Sequence, residues 1–208
     1  MSWGRLLAAP LLVLGLAGPA FAHHVGSYTP RDNEVSANFK QLKFSIQAGR
    51  YDVARRLYET GPLRRDLRAK AERLPAGLDE SIQAALVAGD ARDAERGLMV
   101  FFVALVRDLA LEADRQVSDP SSAVSARAAA GRKFLDAIWR YYNLVDFTVS
   151  QRNPKASTDM RLAFDEAEGY LKPGSVLALD KVRQPLQQMA RILTDVLQAS
   201  SSSARRNS

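Results

Sequence analysis

The chain has 208 residues, with 29 Lys and Arg against 23 Asp and Glu, a net charge of +6 and no cysteine. That length suits one domain able to bury a sizeable core, and the lack of cysteine excludes disulfides, thiolate nucleophiles, iron–sulfur clusters and covalently attached haem. The basic residues alternate with acidic ones, as in Arg64-Arg65-Asp66 and Arg92-Asp93, which describes a solvated mixed face; nucleic acid is not an expected partner, and the excess charge suits anionic lipid headgroups better.

Residues 1–22 read as a secretory signal peptide: Arg5 gives the positive start, Leu6–Leu16 the apolar stretch, and Ala20-Phe21-Ala22 a small-x-small cleavage site. Cleavage there places the protein in the periplasm, or secreted, and makes His23-His24 the new terminus; these are the only histidines in the chain. The longest apolar run that remains, Leu98–Val106, is shorter than the roughly 20 residues a membrane span requires, so a soluble product, at most peripheral to a membrane, is expected.

Residues 23–34 are polar, contain Pro30 and read as a flexible arm. From there the pattern is helical throughout, with no period-two alternation. Val35, Phe39, Leu42 and Ile46 mark a helix over 35–48 stopped by Gly49, and Tyr51–Glu59 forms the next, ended by Gly61-Pro62. Leu63, Leu67, Ala71 and Leu74 stripe a basic helix that ends at Pro75 and Gly77, and Leu78–Ala88 gives another, closed by Gly89. The helix over Ala91–Val117 is apolar almost all round between Leu98 and Leu109, the mark of a helix surrounded by others. After the Ser118–Ser122 turn, Phe134, Ile138, Tyr141, Tyr142 and Val145 place a helix over Ala123–Val149, broken at Asn153-Pro154. Residues 155–171 form a shorter helix, Lys172-Pro173-Gly174 breaks it, and Ser175–Gln198 is helical again, with Pro185 starting a new helix or kinking this one. The serine-rich stretch 200–208 has the composition of a disordered tail. The expected fold is therefore all-α: a single-domain bundle of about six to eight helices over 35–199, centred on the 91–117 and 123–149 pair.

Ala48-Gly49-x4-Ala54-x-Arg56 recurs as Ala88-Gly89-x4-Ala94-x-Arg96. Each glycine ends a helix and each following alanine permits close packing, so two stacked helical hairpins are expected near the N-terminus. The turn resembles that of tetratricopeptide-type hairpins, without their period or their Trp-Leu-Gly-Tyr pattern. The Ala-Gly-Asp-x-x-x-Ala turn at Ala88–Ala94 also resembles one in periplasmic all-helical iron-uptake domains, the imelysin type and the soluble region of iron permeases. The resemblance implies an exported bundle that assists iron handling beside a membrane transporter; the His-x-x-Glu motif of imelysins is missing here.

Three groups of residues carry candidate chemistry. The free amine and imidazole of a terminal His23, with His24 beside it, could chelate a divalent ion and suit copper best; this terminus resembles that of copper histidine-brace proteins but lacks their second, distant histidine. Asp108 and Glu112 lie one turn apart on the central helix, where inward carboxylates would suit a hard metal ion and outward ones would pair with Arg107 and Arg115. Trp139, Tyr142, Asn143 and Asp146 lie at helical spacings; they would line a ligand or partner slot between helices, or else pack as core with the Tyr142 hydroxyl bonded to Asp146. Three functions remain open: an exported binding or accessory protein handling copper or iron at His23 and His24; a helical adaptor that binds another envelope protein through an apolar groove near 35–60 or 123–150, without a small ligand; and a carboxylate-based enzyme, which requires two of Asp108, Glu112, Asp136, Asp146 and Glu166 in one closed pocket. No Gly-x-Ser-x-Gly elbow, phosphate loop or dinucleotide fingerprint is present.

Overall fold

In a computed structural model, which describes residues 31–172 and 178–206 with side chains to residue 200, the chain is helical from Glu34 onward and contains no strand among the described residues. The leader 1–22 and His23-His24 lie outside the described residues. Eight α-helices follow in order: α1 (Glu34–Gln47), α2 (Tyr51–Thr60), α3 (Pro62–Ala69), α4 (Leu78–Ala88), α5 (Ala91–Ser118), α6 (Val124–Arg152), α7 (Pro154–Leu171) and α8 (Leu179–Arg206). They form one all-α bundle around α5. No described helix is long and apolar enough to cross a membrane.

Local chemistry sets the boundaries. Asn33 caps α1 by accepting from the Ser36 amide at 2.9 Å, while the Ser36 hydroxyl oxygen accepts from the Asn33 amide. The paired sequence turns are equivalent in space. Gly49 and Gly89 adopt left-handed φ of 69° and 70°. In each turn the next amide reaches back five residues, Arg50 to the Ser45 carbonyl and Asp90 to that of Ala85, both at 2.9 Å. Ala54 and Ala94 are fully buried, as close-packing positions must be.

Two stretches depart from expectation. The basic helix ends at Ala69 rather than reaching Leu74, and a 3-10 turn spans Ala71–Arg73. Leu74 precedes Pro75, whose ring disfavours helical backbone there, and Leu74 is extended at φ −105°, ψ 158°. At the other end α8 continues to Arg206, through serines whose composition had marked a disordered tail. Extending a helix already nucleated and packed costs little per residue. Pro185 lies inside α8, which neither ends nor restarts there.

α5 is buried on all sides from Gly97 to Val106. On one flank Phe102 meets Phe39 of α1 edge to face, with centroids 4.8 Å apart, and Phe101 at 5.0 Å. On the other flank Asp114 accepts from Arg183 and Gln187 of α8, both at 2.9 Å. α4 approaches α5 at Gly97, where an added Cβ would lie 2.4 Å from Ile82 Cγ1. Gly97→Ala is therefore expected to destabilise by about 1–3 kcal/mol in urea unfolding, although alanine favours an unpacked helix by about 1 kcal/mol. A stabilised Gly97→Ala protein would show that α4 and α5 are not in contact there.

Candidate functional site

The best-formed apolar concavity lies between α6 and α7. It is a cleft of about 310 Å³ walled by Leu135, Phe164 and Leu171 and rimmed by Arg132, Asp136, Glu168 and Lys172. Next to Arg132, α6 carries the buried Gly131, whose missing side chain lets Leu171 and Val117 come within 2.9–3.0 Å of the position a Cβ would occupy. Phe164 is held from behind by Trp139, with ring centroids 4.8 Å apart.

The rim is polar and incompletely bonded. Arg140 donates to Asp136 Oδ2 at 2.8 Å. The other carboxylate oxygen of Asp136 and the Arg140 Nε are buried without a hydrogen-bond partner. Arg132 reaches the Leu171 carbonyl at 3.5 Å. Apolar walls with a few charged groups at one edge are the general make-up of a small-ligand or side-chain pocket. A buried carboxylate oxygen lacking a donor costs free energy until one is supplied.

About three turns further along α6 from Asp136, Asp146 is buried and accepts from Ser157 Oγ at 2.7 Å and from Arg161. Tyr142 is fully buried beside them. Its hydroxyl lies next to Ser157 and Asp146 without a hydrogen bond of good geometry. The expected Tyr142–Asp146 bond is therefore not made, and Asp146 is bonded to Ser157 and Arg161 of α7 instead. Burial first, and then the Asp146 charge, push the Tyr142 hydroxyl above its ordinary titration range.

The residues singled out from sequence do not assemble into one slot. Trp139 backs the α6–α7 cleft, Tyr142 belongs to the core, Asn143 is exposed, and Asp146 ties α6 to α7. Asp108 pairs with Arg107 at 2.7 Å. Glu112 is held at about 2 by hydrogen bonds from Arg115 and Gln116. Glu166 is exposed and accepts from the Tyr170 hydroxyl at 3.2 Å. Of the five carboxylates named for an enzyme, the cleft holds Asp136 alone; Glu168, which clusters in sequence with Asp165 and Glu166, joins it at the rim. Among the described residues no group of three or more His, Cys, Asp or Glu side chains is placed to hold a metal ion.

A second buried polar cluster joins α2, α3 and α4. Asp79 accepts from the Tyr58 hydroxyl at 2.8 Å and from Arg64 Nε and Arg68 Nε, each at 2.7 Å. Arg64 also donates to Gln83 Oε1 at 2.7 Å. Burial pushes the Asp79 carboxyl up, but the bonds from Arg64, Arg68 and Tyr58 outweigh it and hold the group below the usual carboxylate range. Asp79 and Arg68 also border an open hollow beside the 71–78 turn, but the carboxylate's bonds are already made within the cluster, which fastens the helices. No family model, curated protein or solved structure matches the chain.

Proposed function

We propose that this chain is an exported binding or accessory protein, in which the α6–α7 cleft takes an apolar group that carries a hydrogen-bond donor. The observation that supports the reading is the cleft itself: about 310 Å³ of apolar space beside a buried, donorless Asp136 oxygen. A ligand N–H or O–H at that oxygen completes Asp136, while the ligand's apolar body covers Leu135, Phe164 and Leu171. Nothing in this arrangement requires a reaction step. An envelope protein offering an apolar side chain beside an amide would fit the same cleft as a small amphiphile. The exposed Phe44 and Phe147, 64% and 69% accessible, lie on the two segments where an adaptor surface was expected.

Trp139 gives the test a reporter, because it packs on the cleft wall at Phe164. The chain has two tryptophans, and loss of Trp3 with residues 1–22 leaves Trp139 as the single emitter of the exported protein. Titration with small amphiphilic amines is expected to shift and saturate that emission, and Phe164→Ala or Asp136→Asn is expected to weaken binding at least tenfold, the equivalent of about 1.4 kcal/mol. An unchanged spectrum for every amphiphile tried, or a shift indifferent to both substitutions, overturns the reading.

Copper or iron handling at His23 and His24 is the second reading. It draws on one sequence observation: both histidines of the chain directly follow the Ala20-Phe21-Ala22 site. If it holds, the secreted protein begins at His23 by mass spectrometry, binds copper, and loses that affinity in His23→Ala. A protein that retains Met1, or whose copper affinity survives His23→Ala, removes this reading and leaves the cleft reading untouched.

A further inference from the structure

At one end of the bundle, chain termini of several helices meet over two adjoining hollows. α5 runs antiparallel to both α6 and α8. Asp114 meets Arg183 and Gln187 at the far end, whereas Met99, Val149 and Val196 share one cavity at the near end. The start of α5, the end of α6, the start of α7 and the stretch of α8 around Ser200 are thereby brought together. The first hollow, about 180 Å³, presents Arg152, Asn153 and Ser200 over an apolar floor that includes Met99 and Val196. The second, about 220 Å³, is lined by Arg96, Asp93 and Ser81. Ser200 lines both.

The charges here are unevenly matched. Arg92 and Arg96 stand one turn apart on α5, and Arg96 pairs with Asp93 at 2.9 Å. The Arg152 side chain is solvent-exposed overall and makes no hydrogen bond or ion pair among the described residues, although it faces the fields of Arg96 and Arg92 as well as those of Asp93 and Glu95. Burial, then Arg96 and Arg92, depress its guanidinium below the ordinary value, and the two carboxylates only partly offset this. A favourable interaction with the α6 C-terminus explains one arginine at that position. It does not explain why two further arginines are gathered against it.

We propose that this end of the bundle binds a phosphate group, with Arg152 as the principal donor and Arg96 and Arg92 completing the cationic wall. A guanidinium fork matches two oxygens of a phosphate, and a tetrahedral oxyanion can be gripped from several sides at once. A carboxylate offers two oxygens in one plane, whereas a phosphate offers oxygens on a tetrahedron, which suits donors that arrive from α5 and from the α6 end at once. Asn153 Oδ1 already accepts from the Ala156 amide at 3.0 Å, which turns the NH2 group of that side chain to donor duty. The positive ends of α5 and α7 add to the attraction. The phosphate belongs either to a soluble phosphate ester or to an anionic lipid headgroup, and the chemistry at Arg152 is the same for both.

The test uses the full chain and two probes: inorganic phosphate, and vesicles of phosphatidylglycerol set against phosphatidylcholine. Inorganic phosphate at constant ionic strength is expected to raise the melting temperature saturably. Arg152→Gln is expected to remove that rise, with at least a tenfold loss of phosphate affinity, and Arg92→Gln to weaken it in a residue too exposed to disturb folding. In phosphate-free buffer Arg152→Gln is expected to melt close to the parent, because it deletes an exposed cation that no carboxylate pairs and loses only its interaction with the α6 C-terminus. Arg152-dependent sedimentation with phosphatidylglycerol vesicles, without a response to inorganic phosphate, assigns the headgroup source; a response to inorganic phosphate assigns the soluble one. A phosphate effect that survives Arg152→Gln, or the absence of any Arg152-dependent response to either probe, overturns the proposal.

Discussion

Asp79→Ala is expected to destabilise the fold by about 3–5 kcal/mol, the cost of leaving a buried cation without its partner. Arg64 and Asp79 side chains are each only 11% accessible, and the Tyr58 hydroxyl is buried against the same carboxylate. Removing the carboxylate leaves Arg64 and Tyr58 facing a vacancy that water reaches poorly. Arg68→Ala is the control: that side chain is 61% accessible, so losing its pairing is expected to cost under about 1 kcal/mol. Urea unfolding of both variants checks the contrast, and equal losses would show that the cluster is not sequestered. The pH dependence has a fixed sign. Asp79 titrates lower in the folded protein than in the unfolded chain. Its contribution is therefore complete above the ordinary carboxylate range and is lost as the pH falls through the depressed value. The stability gap between the parent and Asp79→Asn should be constant near neutrality and close below about pH 4.

Phe102→Ala is expected to cost about 3–5 kcal/mol, which in a domain of this size lowers the melting temperature by on the order of 10 °C. The ring is fully buried at the centre of α5. It meets Phe39 of α1 at 4.8 Å, Phe101 at 5.0 Å and Tyr141 of α6 at 5.8 Å. Truncation opens a void lined by side chains of three helices, whose backbones cannot all close on it. Phe102→Leu, which refills most of the volume, should recover more than half the loss. If both variants lose little, the two flanks of α5 can repack independently, contrary to the ring contacts.

The reasons for what sequence could and could not reveal are specific. Helix ends were readable wherever the stop is a local backbone requirement, as at Gly49, Gly89 and Asn153-Pro154, because the residue that breaks the helix is itself the signal. The buried centre of α5 was readable from its unbroken apolar run. The α3 end was missed because the apolar stripe continues to Leu74 after the backbone has left the helix, so periodicity misled where Pro75 decided. The α6–α7 cleft was not readable at all. Leu135 and Phe164 come together through the pairing register of two helices, and no local pattern encodes that register. Asp136 was visible only as one of five candidate carboxylates; its bond from Arg140 and its donorless oxygen depend on the side-chain packing around it. Asp79 gave no sign beyond an acidic residue in a first helical turn, since its three donors come from α2 and α3.

The burial of α5 on both flanks has a kinetic corollary. The amides of Leu98–Val106 can meet solvent only when α1 and α4 on one side, or α6 and α8 on the other, have detached. Hydrogen exchange there should report whole-molecule opening and set the ceiling for every other segment. A local event that frees the α1–α4 half uncovers Phe102 and the α5 surface at Gly97 at the same moment, so any such excursion would be sticky toward other chains before it was complete.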